Sequence, residues 1–406
     1  MQWIPGAWMG AAGVAFLACL VVPVAMVPNL EVQAGQRPNE GEYRVLEPLQ
    51  SGALSLFPVV RNDEPSEAKK WNYITLDEGL RSGEVEVTEA GRASGMVRPR
   101  HGQALPIRQS GDRVNTLALI NNSDKPLLLL AGEIVSGGKQ DRVIGKDRIV
   151  PAHSDPIDLS VFCIEPGRWV GSSDKFGAVS ENKNFSFMVQ PSVRSKAMVQ
   201  KDQQQVWNSV SQSVETAQVM AASPAVPLEG GAIGEALPSN SRGMNTTSYA
   251  KAMNDERIVR QVDSVAEPLV RSSHEVLQTL REQHAVGVVV AVHGEIIWAD
   301  IFATPEMLAA YWTKLVRSYA AESFDNIRAG TVKASVVEAQ KFVDRPSHGE
   351  ETSEGETGLY NYREVRGQTM SSFYLQVLLP GTEFYAHISR VAEEGTVGKL
   401  SPALIR

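Results

Sequence analysis

At 406 residues the chain exceeds the usual size of one domain, and its 43% hydrophobic and 21% charged content is that of a globular protein with a sizeable core. A formal net charge of −8 excludes a general nucleic-acid binder, which needs a basic face against phosphate. The only cysteines are Cys19 and Cys163, so there is no disulfide framework and no Cys/His spacing for structural zinc.

The first 34 residues read as a targeting segment. Gly6 to Pro28 carries no charged side chain, and Val32-Gln33-Ala34 offers a cleavage site before Gly35. No Lys or Arg precedes the apolar run, and residues 6–28 are long enough to span a bilayer, though Pro23 interrupts a clean helix. The expectation is an exported protein, periplasmic or extracellular, cleaved or held at the membrane by this segment alone.

From residue 43 to 194 the text is β-like, with runs such as LSLFPVV, PLLLLAGEIV and IDLSVFCIE between Gly, Pro, Asn and Asp. Within it, Trp71 to Arg92 predicts a short helix presenting Leu76 and Leu80, then an alternating strand. Residues 195–284 form a helical segment. Met198, Val206, Val210 and Val214 mark an amphipathic helix, 223–242 is a Pro/Gly/Ser-rich loop, and Pro268 marks a kink or break further on. Residues 285–390 read as an α/β half. A strand over Ala285–Val292 turns at His293-Gly294-Glu295 and returns to Phe302, then Thr304-Pro305 caps a helix running to about Ser323. A second helix at about Val332–Val343, a polar acidic loop at 345–358 and two or three antiparallel strands to Arg390 follow, and 391–406 is a tail. The fold class is therefore α+β: a β-rich N-terminal half of antiparallel hairpins joined to a half with an antiparallel sheet and packed helices.

Leu127 to Trp169 concentrates the polar chemistry. With Gly137-Gly138 as a two-residue hairpin loop, Glu133 pairs with Arg142 across the strands, and Glu133, Gln140 and Arg142 share a face. Pro166-Gly167 suits a type II turn with Glu165 and Arg168 at its ends, and Trp169 follows. Two readings stay open. In one, Lys139, Gln140, Arg142, Arg168 and Trp169 hold an anionic ligand and Glu133 and Glu165 divide acid and base roles. In the other the same charges satisfy one another inside a sheet core. Cys163 lies among Val161, Phe162 and Ile164, the setting of an ordinary buried thiol. His101, His153, His293 and His387 share no metal spacing and read as turn or surface residues. No GxGxxG or P-loop pattern occurs, so no cofactor is implied.

The run Gly132-Glu133, Gly137-Gly138-Lys139-Gln140-x-Arg142, Val150-Pro151-Ala152, Cys163-x-Glu165-x-Gly167-Arg168-Trp169 resembles the ARG and rhodanese-phosphatase-superfamily-associated domain, an uncharacterised bacterial family. GVVVAVHGEIIWADIFATPEMLAAYWTKLVRSYA resembles that family's second half, and the likeness spans roughly Leu46 to Ser389. The family's name implies association with ADP-ribosylglycohydrolase-type and phosphatase-type proteins, a hint of ADP-ribose or phosphate chemistry. Three functions follow as expectations: an accessory domain binding an anionic small molecule or a protein partner, a hydrolase using Glu133 and Glu165 on a phosphorylated or ADP-ribose-like substrate, or a structural and protein-interaction domain.

Overall fold

The computed structural model describes residues 42–61, 66–90, 115–168, 171–173, 175–177, 188–222, 246–270, 273–325, 333–379 and 381–393. The targeting segment, the 223–242 loop, His101 and Trp169 therefore lie outside the described residues, as does the tail from 394 onward.

In chain order the strands β1 (Tyr43–Val45), β2 (Leu49–Ser51) and β3 (Leu54–Arg61) precede α1 (Ser66–Lys70), β4 (Ile74–Thr75), α2 (Leu76–Ser82) and β5 (Val85–Glu89). Next come β6 (Thr116–Asn121), β7 (Leu127–Leu129), β8 (Ile134–Gly137), β9 (Arg142–Ile144), β10 (Arg148–Val150), β11 (Ile157–Cys163) and β12 (Lys175–Gly177). The helical segment holds α3 (Pro191–Ser195), a π-helical turn at Lys196–Gln200, α4 (Gln203–Ala222), α5 (Tyr249–Met253), α6 (Glu256–Val270) and α7 (Ser273–Glu282). Finally β13 (Ala285–Val292), β14 (Glu295–Phe302), α8 (Pro305–Asp325), α9 (Val336–Asp344), β15 (Glu350–Glu356), β16 (Tyr360–Arg366), β17 (Met370–Val377) and β18 (Phe384–Ala392) complete an α+β fold.

Two β units organise these elements. One is a nine-stranded antiparallel sheet ordered β1-β3-β13-β14-β18-β17-β16-β15, with β2 on β3. The other is a closed barrel, β11-β6-β5-β12-β8-β9, beside a three-stranded sheet β10-β7-β4. The first strands thus join the sheet built by the end of the chain: β3 pairs with β13 from Leu54↔Val292 to Val60↔Ala285. Barrel closure leaves no free edge in that unit.

Each face of the large sheet has its own cover. Alternation in β13 sends Val288, Val290 and Val292 to one side, where Val206, Val210 and Val214 of α4 and Tyr311, Trp312 and Leu315 of α8 complete the main core. Val289 and Ala291 point the other way, against Ala339, Phe342 and Val343 of α9. Each such side chain, once fully buried, contributes about 1.5–3 kcal/mol. The barrel interior is filled by Val87, Leu117, Leu119, Val135, Ile144, Val161 and Phe176.

Helix starts follow their capping signals. Thr75 caps α2 in a full capping box with Glu78, which fixes the first turn and with it Asp77. The Thr304 hydroxyl accepts from the Met307 N–H at the head of α8. Pro268 sits inside α6, which ends two residues later. One expectation fails: residues 350–356 are a strand, not a loop. β15 pairs with β16 from Glu350↔Arg366 to Glu356↔Tyr360, and every residue of it is exposed. An exposed sheet edge tolerates glutamates because its side chains remain in water, and their charge discourages edge-to-edge association. Periodicity alone cannot register a strand with no buried face.

Candidate functional site

The polar segment begins in a tight turn between β7 and β8. Gly132, at φ +93°, donates its N–H to the Ile144 carbonyl, and a Cβ there would come within 2.8 Å of Arg194 Cδ. Glu133 follows, fully buried. One carboxylate oxygen accepts from the Leu130 N–H at 2.8 Å, and the other is 2.6 Å from Lys314 Nζ. Lys314, on α8, also lies 2.5 Å from Asp77 on α2. Burial lowers the affinity of Lys314 for its proton, but Glu133 and Asp77 outweigh it and raise the pKa, so the ammonium persists.

This replaces the expected Glu133–Arg142 pair. The hairpin loop is longer than Gly137-Gly138: Ile134 faces Val143, and Val135 faces Arg142. A shift of two residues preserves which face each side chain takes but changes every cross-strand partner. The longer loop is held by Asp141, whose carboxylate accepts from the Ser136 hydroxyl at 2.6 Å and the Gly137 N–H at 3.1 Å. Gly138 must be glycine, since a Cβ would meet the Phe176 ring at 2.3 Å.

Around this loop a second cluster forms. Gly167, at φ +91°, closes the expected turn, and Arg168 Nη2 lies 2.5 Å from the Glu165 carboxylate. Glu165 also accepts from the Asp141 N–H, and Lys251 of α5 approaches it at 3.4 Å. Burial raises its pKa, but hydrogen bonds from Arg168 and Asp141 and the charges of Arg168 and Lys251 prevail and lower it. Gln140 donates to the Glu165 carbonyl, and the Lys139 N–H donates to Glu89. Arg142 is fully buried and donates from Nη1 to the Gln140 carbonyl at 2.7 Å. Burial lowers its pKa against the pull of Cys163, Glu89 and Asp141. Cys163 pairs with Arg142 across β11–β9, is itself buried, and its thiol is pushed up by burial. Gln203 clamps the Cys163 backbone through both N–H and C=O.

A third cluster went unseen in the sequence. His387, expected as a turn or surface residue, is fully buried on β18. Its Nδ1 is 2.7 Å from Asp147, in the turn between β9 and β10, and its Nε2 is 3.1 Å from Asp300 on β14. Asp300 in turn binds Arg194 of α3 at 2.8 Å, the Ser389 hydroxyl at 2.8 Å and the Tyr319 hydroxyl. Arg194 lies over the Trp298 ring at 4.6 Å. His153 and His293 do occupy turns, both at positive φ.

The structure therefore separates the two proposed acid–base residues into different networks. Burial pushes Glu133 up, the direction a general acid needs, yet both of its oxygens are engaged by the fold. An open cleft of about 390 Å³ is lined by Glu67, Leu378, Leu379, Gly381, Thr382 and Glu383 and touches neither Glu133 nor Glu165. Among the described residues no group of three or more His, Cys, Asp or Glu is placed to hold a metal ion. Lys314, Asp77, Asp141, Lys251, Asp300 and Arg194 were not predicted as partners. The available signal was polarity inside an apolar run, as for Asp300 in IIWADIF and Lys314 in YWTKLV.

No curated protein and no solved structure gives a significant match to this chain. A family model, the ARG and Rhodanese-Phosphatase-superfamily-associated Protein domain, matches residues 42–390, which contain the barrel, the nine-stranded sheet except the last two residues of β18, and all three charge clusters. By that match across most of its length, the chain belongs to the ARG and Rhodanese-Phosphatase-superfamily-associated Protein domain family.

Proposed function

We propose that this chain is an accessory domain that works through protein contacts, with the Glu133–Arg168 segment serving as its scaffold. The observation that carries this reading is the engagement of the segment's buried charges by the fold: Glu133 by Lys314, Glu165 by Arg168, and Arg142 by the Gln140 carbonyl. Each of these charges is already turned toward a partner supplied by the fold, so a substrate would have to displace that partner to reach it. A second reading keeps an anionic ligand at the rim of the same segment. It is favoured by the partial exposure of Arg168, 21%, and of Lys251, 64%, on either side of Glu165.

A thermal-shift panel on the full chain separates the two. Phosphate, sulfate, sugar phosphates and ADP-ribose are titrated against wild type and Arg168→Ala. The scaffold reading expects no concentration-dependent rise in melting temperature for any of them. A rise that disappears in Arg168→Ala supports the rim reading and removes the first. Export on residues 6–28 is part of the proposal, and its support is the uncharged apolar run. N-terminal sequencing of the protein recovered from the secreted or periplasmic fraction tests it, with Gly35 as the expected first residue if the leader is cleaved.

A further inference from the structure

We infer that His387 is a charged imidazolium at neutral pH and acts as an ionic lock joining the β9–β10 turn to the nine-stranded sheet. Both ring nitrogens face carboxylate oxygens: Nδ1 faces Asp147 Oδ2 at 2.7 Å and Nε2 faces Asp300 Oδ1 at 3.1 Å. A neutral imidazole has one donor and one acceptor. With Nδ1–H on Asp147, the bare Nε2 would lie 3.1 Å from the Asp300 carboxylate in a site with no exposure to water. The Asp147 contact is a hydrogen bond and the Asp300 contact an ion-pair approach without hydrogen-bond alignment, and a ring protonated on both nitrogens is attracted to both carboxylates.

The count of charges leads to the same answer. Two carboxylates, Asp147 and Asp300, are buried with two cations, Arg194 and His387. With the ring charged the cluster is neutral, and with it uncharged a net negative charge is left in the interior. The remaining groups facing this centre are Phe302, whose ring lies 4.6 Å from the imidazole, the Ser389 and Tyr319 hydroxyls on Asp300, and Tyr362, which interacts with Asp147. Burial raises both tyrosines well above their ordinary value, so neither supplies a charge near neutrality. Burial also opposes the imidazolium, but Asp147 and Asp300 outweigh it and lift the His387 pKa to about 9.

The lock has a direction. Asp147 accepts the Ala131 N–H through Oδ1 and binds His387 through Oδ2, so it connects the β7–β8 turn, the β9–β10 turn and β18. Loss of the proton removes the donor that faces one carboxylate. Nδ1 makes the aligned hydrogen bond and keeps the remaining proton, so what the turn loses is the positive charge that Asp147 faces. The turn then keeps its outer link to the sheet through Lys146 and Glu354, 2.6 Å apart, but loses the charge at its buried end.

The test is nitrogen-15 spectroscopy of the full chain labelled at histidine, followed from neutral to alkaline pH. One buried imidazole showing two protonated, exchange-protected ring nitrogens at neutral pH, and losing one proton near pH 9, is the expected result. Asp147→Asn and Asp300→Asn each move that loss to lower pH. Hydrogen exchange at Ala131 and residues 145–150, corrected for intrinsic rate, should accelerate over the same range. A buried ring with a single protonated nitrogen at neutral pH overturns the inference, as does exchange that ignores the titration. If the Asn variants fail to fold, the wild-type spectrum decides alone.

Discussion

The Glu165–Arg168 cluster and the His387 cluster are both built from charged residues, and they differ in how far their members come along the chain. Glu165, Arg168 and Asp141 are neighbours in one hairpin-rich segment, and Arg168 and Lys251 stay partly in water. Arg194, Asp300, His387 and Asp147 come from α3, β14, β18 and a barrel-side turn, and each is at most 1% exposed. The first cluster looked like a site because its residues crowd together in sequence. The second holds the stronger electrostatics because water is excluded and each charge depends on a partner delivered by a distant element. Crowding of polar residues in sequence therefore signals a turn that needs many hydrogen bonds as readily as it signals chemistry.

The sharpest way to break this contrast is to strand a charge in the interior. Arg194→Met leaves Asp300 with the imidazolium and hydroxyls only, and a loss of about 3 to 5 kcal/mol in denaturant unfolding is expected. A loss below about 1 kcal/mol would place the cluster among weak surface pairs. Next comes pH. The folded pKa of His387 lies above its ordinary 6.5, so its contribution is complete below 6.5 and fades as pH rises toward about 9. At 1.36 kcal/mol per pKa unit the loss is about 3 kcal/mol, read as a fall in unfolding free energy that His387→Gln does not show.

Smaller effects sharpen the comparison from the other side. Arg168→Ala leaves the buried Glu165 carboxylate with only the Asp141 N–H and Lys251, and a smaller loss of about 1 to 3 kcal/mol is expected because the arginine is partly in water. A loss as large as that of Arg194→Met would mean that the rim is as essential as the interior. Lys175→Ala removes an exposed partner of Glu86 on the neighbouring strand, and its effect should lie within about 0.5 kcal/mol.

Much of the fold was legible. Alternation and turn residues placed the Ala285–Phe302 hairpin, and the Val206, Val210, Val214 spacing placed the buried face of α4. What could not be read was long-range. Nothing local says that β3 pairs with β13, because strand neighbours in a sheet are chosen by complementary faces far apart in sequence. The hairpin register failed for a related reason: Asp141 supports a longer loop through Ser136 and Gly137, a choice made by side-chain hydrogen bonds rather than by glycine pairing. The candidate site was legible in part. Glu165–Arg168 formed as its turn required, whereas Glu133 took Lys314, an amino acid on a helix the hairpin cannot see.

The most direct test of the scaffold account is a double-mutant cycle on Glu133 and Lys314, read by denaturant unfolding. Lys314→Met alone strands a buried carboxylate and should cost about 3 to 5 kcal/mol. Adding Glu133→Gln should recover part of that loss, giving a coupling of about 1 to 3 kcal/mol. Additive losses, with Glu133→Gln alone leaving stability untouched, would contradict the account and return Glu133 to the list of groups held ready for a ligand.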